Sequence, residues 1–216
     1  LPISKVSIII YYKEDRGWLK DALLSVRNQR YAGKVELLIE TGGTASENLN
    51  RGIKKATGKY VRYLSEDDLL PQYSIHQGVL QFEKDGADFL HANAINFFGY
   101  PVIYDDGHIS FSGRFERQIP VLKYPTLADL RIKNQIHGGT VMYKTEFLKE
   151  NLFDESLTCA EEYDLNMKLL SKGAILDYCN ADLYLYRRHA GQKSLGKGVD
   201  QTKRRQIIEQ IQNRYK

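Results

Sequence analysis

Val6-Ser-Ile-Ile-Ile-Tyr11 is an unbroken apolar run rich in β-branched residues. A strand of this kind presents apolar side chains on both faces, so it needs a covering layer on each side and suits the interior of a parallel sheet. The following residues supply such a layer. Trp18, Leu19, Ala22, Leu23 and Val26 recur at helical spacing, which predicts a helix over 17–28 with one apolar stripe. Val35-Glu-Leu-Leu-Ile-Glu40 reads as a second strand, closed by the turn Thr41-Gly-Gly-Thr44, and Tyr60-Val-Arg-Tyr-Leu64 as a third. Between them, Ser46 is the expected N-cap of a helix that carries Leu49, Ile53 and Ala56 and ends at Gly58. Ile75, Val79, Leu80 and Phe82 mark a further helix beyond Pro71, and residues 87–92 a fourth strand.

Strand and helix in alternation imply a parallel sheet with helices on its faces. Such sheets bind ligands at the carboxyl ends of their strands. Tyr11 to Glu14, Glu40 to Gly43 and Ser65 to Asp68 are therefore expected on one rim. The rhythm then breaks. Tyr104-Asp-Asp-Gly107 between short β-like runs predicts a hairpin, and His137-Gly-Gly leads into a short strand over 140–143. Helices are expected over 146–150, 161–170 and 202–215. With no repeat and no low-complexity linker, the expected organisation is a single α/β domain over 1–216.

Charge is spread unevenly. Nine Lys or Arg against two acids lie between Arg187 and Lys216, which leaves 22 basic and 25 acidic residues before them. An acidic body with a basic end does not suit a nucleic-acid binder, which is basic along a whole face. No apolar run approaches the roughly 20 residues of a membrane helix. Two cysteines, Cys159 and Cys179, make neither a disulfide framework nor a zinc site, which points to a reducing, cytoplasmic setting. The chain opens on Leu1 rather than Met, so we expect a piece of a longer protein.

Four groups of residues carry candidate chemistry. Ser65-Glu66-Asp67-Asp68, at the end of the third strand, suits a hard divalent cation held by few protein oxygens and substrate phosphates. Its plain alternative is an acid capping the next helix. Glu161-Glu162 opens a helix, where acids favour the dipole; a carboxylate there that faced a cleft would serve as a general base. Tyr11 at a strand end offers a face for stacking on a base. His189, with Arg187, Arg188 and Lys193, could close over a diphosphate or ligate a metal, or form a solvated loop.

Taken together these motifs resemble the family 2 glycosyltransferases of the GT-A fold. The matching residues are Asn50-Arg-Gly52-Ile53, Ala56-Thr-Gly58-Lys-Tyr60, Leu64-Ser-Glu-Asp-Asp-Leu-Leu-Pro71, Gly138-Gly139, Phe153-Asp154-Glu155, Glu161-Glu162-Tyr163-Asp164-Leu165 and Tyr186-Arg187-Arg188-His189. The resemblance spans about residues 5 to 195 and implies a single Rossmann-like domain with a mostly parallel sheet and a small β-rich acceptor-side region. It divides the chain into a nucleotide-sugar half (1–93), an acceptor and catalytic half (94–195) and a C-terminal helix (196–216).

The resemblance also implies roles. Asp67 becomes the main metal ligand with Asp68 beside it, the metal being Mn²⁺ or Mg²⁺, and His189 a further ligand. Tyr11, Glu40, Thr41, Ser65 and Glu66 contact the nucleotide of a UDP-sugar donor, while Arg187, Arg188 and Lys193 contact its diphosphate. Glu162 is the catalytic base of an inverting transfer, and His137 lies on the side of a glycan acceptor. No nucleic-acid partner and no transmembrane segment are expected. Ser65 and Glu162 stand where the family commonly has Asp, and Glu40-Thr41 replace a common Asp pair. A sugar nucleotidyltransferase or a sugar-nucleotide-binding module without turnover are the alternative readings. The former usually carries a Gly-rich basic loop after the first strand, where this chain has Tyr11-Tyr-Lys-Glu-Asp15.

Overall fold

The computed structural model describes residues 3–192 and 200–215. Its elements run β1 (Val6–Tyr11), α1 (Leu19–Arg27), β2 (Val35–Glu40), α2 (Ala45–Lys55), β3 (Tyr60–Ser65), α3 (Ser74–Asp85) and β4 (Phe89–Phe98). There follow β5 (Pro101–Ile103), β6 (Ile109–Phe111), β7 (Phe115–Gln118), α4 (Leu127–Ile132), a 3₁₀ turn at Gly138–Thr140 and β8 (Met142–Lys144). The chain then forms α5 (Thr145–Lys149), α6 (Glu161–Ser171), β9 (Leu176–Arg188) and α7 (Gln201–Arg214).

Seven strands form one sheet in the order β2-β1-β3-β8-β4-β7, with β9 on the other side of β4. The long registers, β1 with β2, β1 with β3 and β4 with β9, are parallel, while β8 and β7 pair antiparallel. β1 is covered on both faces, as its composition demands. Ile9 packs beneath α2, α6 and α7, whereas Val6, Ile8 and Ile10 pack against α1 and α3. No helix among the described residues is long and apolar enough to cross a membrane. Both cysteines are free and buried, and burial pushes the Cys179 thiol up to about 11.

The structure explains two of the quoted motifs. Asn50 donates to the Phe153 carbonyl (3.0 Å) and the Glu155 carboxylate (2.8 Å) and accepts from the Phe153 amide (2.9 Å), so it fastens α2 to the Phe153-Asp154-Glu155 segment. A Cβ on Gly52 would stand 2.5 Å from Ile9, and one on Gly58 2.6 Å from the Ser7 nitrogen, so both glycines permit close approach to β1.

Three features differ from the sequence expectation. Thr44, not Ser46, caps α2, in a reciprocal capping box with Glu47, and Ser46 lies buried inside the helix. β4 extends to Phe98, because its second half gains β7 and β9 as partners. β9 itself carries no strand signal in its first half, where Asp177, Asn180 and Asp182 interrupt the apolar pattern. The hairpin at Tyr104 to Gly107 forms as expected, with Gly107 at φ +89.

Candidate functional site

The strand ends stand abreast. Tyr11 pairs with Glu40 on one side and with Ser65 on the other, so the rim expected from periodicity is built by the register itself. Loops leave this rim in place of further strand, and the segment after Ser65 turns into the cleft. Asp67 is 8% and Asp68 3% exposed. Carboxylates so little hydrated need partners.

The partners come mainly from the last strand. Leu69 and Leu185 exchange both backbone hydrogen bonds (2.9 and 3.0 Å), which pins the acidic segment to β9. Tyr184 donates its hydroxyl to Asp68 Oδ2 (2.7 Å), and the Arg187 amide donates to Asp68 Oδ1 (2.8 Å). Burial, reinforced by neighbouring Asp67, raises the Asp68 carboxyl well above the ordinary aspartate value. Both Asp68 oxygens are thus turned into the fold. Asp68, expected beside Asp67 as a ligand, is held by Tyr184 and the Arg187 amide in this structure.

Arg187 is also turned inward. It is 2% exposed, donates from Nε to the Asp67 carbonyl (2.7 Å) and from Nη2 to Asp21 (3.0 Å), and lies over Trp18 and Phe97. A guanidinium so held shapes the acidic loop. Strand alternation sends Arg188 to the opposite face, where it lies over Tyr186 (5.4 Å). Lys193 lies outside the described residues.

Asp67 and His189 do meet. His189 Nε2 stands 3.1 Å from Asp67 Oδ2, and its ring faces Trp18 at 4.4 Å. Among the described residues no three His, Cys, Asp or Glu converge on a common point. A carboxylate with one imidazole fits an ion held largely by substrate phosphates, the usual manner for Mg²⁺, and does not fit an all-protein cage.

The residues expected to read the nucleotide divide into two sets. The Glu40 carboxylate accepts from Lys55 Nζ (2.7 Å) and Arg51 Nε (3.3 Å), so it braces α2 against β2. Thr41 is exposed, and its carbonyl accepts from Arg51. Ser65 is half-buried and donates to Glu66 Oε2 (3.2 Å). Burial and the neighbouring Asp67 raise the Glu66 carboxyl, while Arg16 opposes the rise.

Tyr11 meets Tyr63 edge-on at 6.1 Å. Its phenol is raised well above the usual value, first by burial and then by the fields of Glu162, Glu161, Asp67 and Asp68. One side chain therefore senses both acidic groups that the sequence singled out.

Glu162 stands in the first turn of α6. Its Cγ and Cδ would lie 2.9 and 3.2 Å from a Cβ on Gly138, so only glycine at 138 lets the carboxylate rest across the Gly138–Thr140 turn. Gly139 is likewise required by Tyr184, whose ring occupies the space of a Cβ there. Arg62 fixes the turn from below. Its fully buried guanidinium donates to the carbonyls of Gly139 (3.1 Å) and Leu183 (3.0 Å) and to Ser74 Oγ (2.5 Å), and burial lowers its pKa to about 10. On the other side, the residue before α6, Ala160, holds φ at 61°. A non-glycine residue in the left-handed region costs about 1–2 kcal/mol, and such strain collects at functional sites.

A cavity of about 250 Å³ opens beside this turn, with Ala92 and Ala94 among its walls and Gln118, Asn134, Gln135 and His137 as polar lining. The His137 ring meets Tyr186 edge-on at 5.0 Å. Burial, with a smaller contribution from nearby Arg188, pushes its pKa down to about 4, so the imidazole is neutral at physiological pH. The unfolded chain binds this proton near pH 6.5 and the folded one only near 4. Stability should therefore fall as pH drops through that window. His137→Gln is expected to flatten the decline, measured as urea unfolding midpoints between pH 7 and 4.5; an unchanged pH profile counts against a neutral, buried His137.

Sequence reading missed Arg16, Tyr184 and Arg62. Arg16 pairs with both Glu66 (2.6 Å) and Asp67 (2.8 Å). A cation in the loop after the first strand, opposite a run of acids after the third, was the available signal for it. Tyr184 and Arg62 carried none: Tyr184 meets Asp68 from 116 residues away, and Arg62 meets the distant carbonyls of Gly139 and Leu183 and the Ser74 hydroxyl.

Residues 40–152 match the family model described as glycosyl transferase family 2. An uncharacterized glycosyltransferase of Rickettsia prowazekii is 31% identical over 170 residues, covering 75% of this chain and 50% of that protein. The minor teichoic acid biosynthesis protein GgaB of Bacillus subtilis is 24% identical over 164 residues, covering 74% of this chain and 17% of that one. The chain spans half or less of the length of these relatives. In structure it is similar to S. aureus TarS 1–349 in complex with UDP-GlcNAc, with a TM-score of 0.65 at 15% identity over 98% of this chain and 72% of that one. At that identity the likeness is one of fold.

Proposed function

The chain belongs to glycosyl transferase family 2, and on that premise we propose that it moves a sugar from a nucleoside diphosphate donor, UDP-sugar favoured, to a hydroxyl of a glycan acceptor. The observation that carries the reading is the arrangement of two separate acidic groups about the rim: Asp67, just after β3 and 3.1 Å from His189, and Glu162, in the first turn of α6 against Gly138, with the fields of both reaching Tyr11. Transfer needs both: one group to anchor the departing diphosphate, the other to take a proton from the attacking hydroxyl. The structure with UDP-GlcNAc supports a UDP-sugar as donor, and the name of GgaB supports a polymeric glycan as acceptor.

In this mechanism Asp67 and His189 would hold Mn²⁺ or Mg²⁺, which would supply neutralisation of charge on the leaving diphosphate. Arg187 and Tyr184 keep the acidic segment in place from behind. The acceptor sugar occupies the cavity beside His137, where Gln118, Asn134 and Gln135 offer neutral hydrogen-bonding partners. Glu162, resting on Gly138 next to the cavity residue His137, takes the acceptor proton as the oxygen attacks the anomeric carbon opposite the diphosphate. Attack from that face inverts the configuration.

A panel of UDP-, GDP- and dTDP-sugars tests the reading by thermal shift with and without Mn²⁺ or Mg²⁺. Stabilisation by UDP-sugars only with metal is the expected result. Failure of every donor to stabilise the protein with metal present overturns it. Metal-dependent binding without turnover, even with acceptor glycans supplied, would favour the binding module.

A further inference from the structure

The acidic rim already holds a cation of the chain's own. Arg16 lies in the loop between β1 and α1, and its guanidinium folds back over the acids. Nη2 stands 2.6 Å from Glu66 Oε1 and 2.8 Å from Asp67 Oδ2, and Nε 2.7 Å from Glu66 Oε1. Asp67 Oδ2 is the same oxygen that His189 approaches at 3.1 Å. The guanidinium also lies 5.0 Å from the centre of the Trp18 ring, which faces His189 and Arg187 as well. Exposure is graded. The Arg16 side chain is 40% exposed, against 11% for Asp67 and 4% for Glu66, so the cation forms the outer layer and the carboxylates lie beneath it.

We propose that Arg16 is a latch that occupies Asp67 in the resting protein and transfers to the donor diphosphate when a divalent ion takes Asp67. The inference rests on the reading of Asp67 as the metal carboxylate. Its physical basis is competition: a guanidinium and a divalent ion cannot both use Asp67 Oδ2 as their main partner. Arg16 has room to leave because its side chain is 40% exposed and nothing lies within 4 Å of a Cβ position at the next residue, Gly17. Its planar fork suits a diphosphate as well as a carboxylate pair, so the charge lost at Asp67 is regained on the donor. Metal alone must displace the latch without that return; metal with nucleotide displaces it and provides a new partner. The latch therefore makes the site favour a metal–diphosphate pair over a free ion.

Trp18 is the chain's only tryptophan and lies against Arg16, Arg187 and His189, so its emission reports binding at this rim, and comparison with Arg16→Ala isolates the part due to Arg16. Mg²⁺ alone, UDP with Mg²⁺ and UMP with Mg²⁺ are titrated into the wild type and Arg16→Ala, with calorimetry as a second readout and circular dichroism to check the fold. Arg16→Ala is expected to bind Mg²⁺ alone at least threefold more tightly. It should bind UDP with Mg²⁺ at least tenfold more weakly, with a smaller loss for UMP. Arg16→Lys, a point charge without the fork, should fall between them. A Mg²⁺ affinity left unchanged or lowered by Arg16→Ala overturns the latch alone, as does an equal loss for UDP and UMP. No response to Mg²⁺ or UDP in either protein overturns the Asp67 reading and the latch with it.

Discussion

Glu162→Gln is expected to lower sugar transfer by roughly 10²–10⁴-fold, the contribution of a positioned general base. The substitution is chosen for what it preserves. Glutamine keeps the Cβ, Cγ and Cδ that rest against Gly138, so the turn beneath and the cavity beside it keep their walls. It removes the negative charge, and with it the capacity to accept a proton. UDP-sugar binding, read by thermal shift with metal, should therefore be unchanged while initial rates collapse. Retained turnover removes Glu162 from the chemistry. A joint loss of turnover and donor binding would instead show that Glu162 supports the site rather than reacting in it.

The second large effect is at Asp67. Asp67→Asn should abolish the metal-dependent part of the UDP-sugar stabilisation. A ligand at a hundred times its Kd contributes about 2.7 kcal/mol, and a domain of this size gains about 2–4 °C per kcal/mol. A wild-type shift of about 5–10 °C is thus expected to shrink towards the shift seen without metal. The fold should survive, since the Asp67 carbonyl, which accepts from Arg187 Nε, and both anchors of Asp68 remain. If Asp67→Asn retained the full metal-dependent shift, the ion would have to be held elsewhere.

The parts of this fold that were legible in the sequence are those fixed by neighbours along the chain. Periodicity placed β1, β2 and β3, and with them the shared rim of Tyr11, Glu40 and Ser65, because a parallel register follows from alternating strand and helix. Glu162 and Asp67 were singled out as acids at element ends, and both lie beside Tyr11 in the fold. The direction in which rim side chains point was not legible. Glu40 turns to Arg51 and Lys55, Asp68 to Tyr184, and Arg187 to Asp21, all through contacts that pattern alone does not reveal. β9 was hidden for a related reason: its interrupted first half is stabilised by pairing with β4, which a local window does not see.

The clamp that β9 places on the acidic segment also sets an order of assembly. Asp68 finds its partners 116 and 119 residues later, at Tyr184 and Arg187. Synthesis at about 5–20 residues per second leaves the first three strands without those partners for roughly 6 to 24 seconds. Through that interval Glu66 and Asp67 can pair with Arg16, which precedes them in the chain, whereas Asp68 has neither of its partners and water must keep it. The half of the molecule that carries the rim can thus begin to collapse around Ile8 and Ile10, which pack against α1 and α3, but Asp68 can be drawn out of solvent only when β9 arrives. Closure of the site therefore waits on a contact that spans more than half of the chain, a long-range pairing of the kind that slows folding.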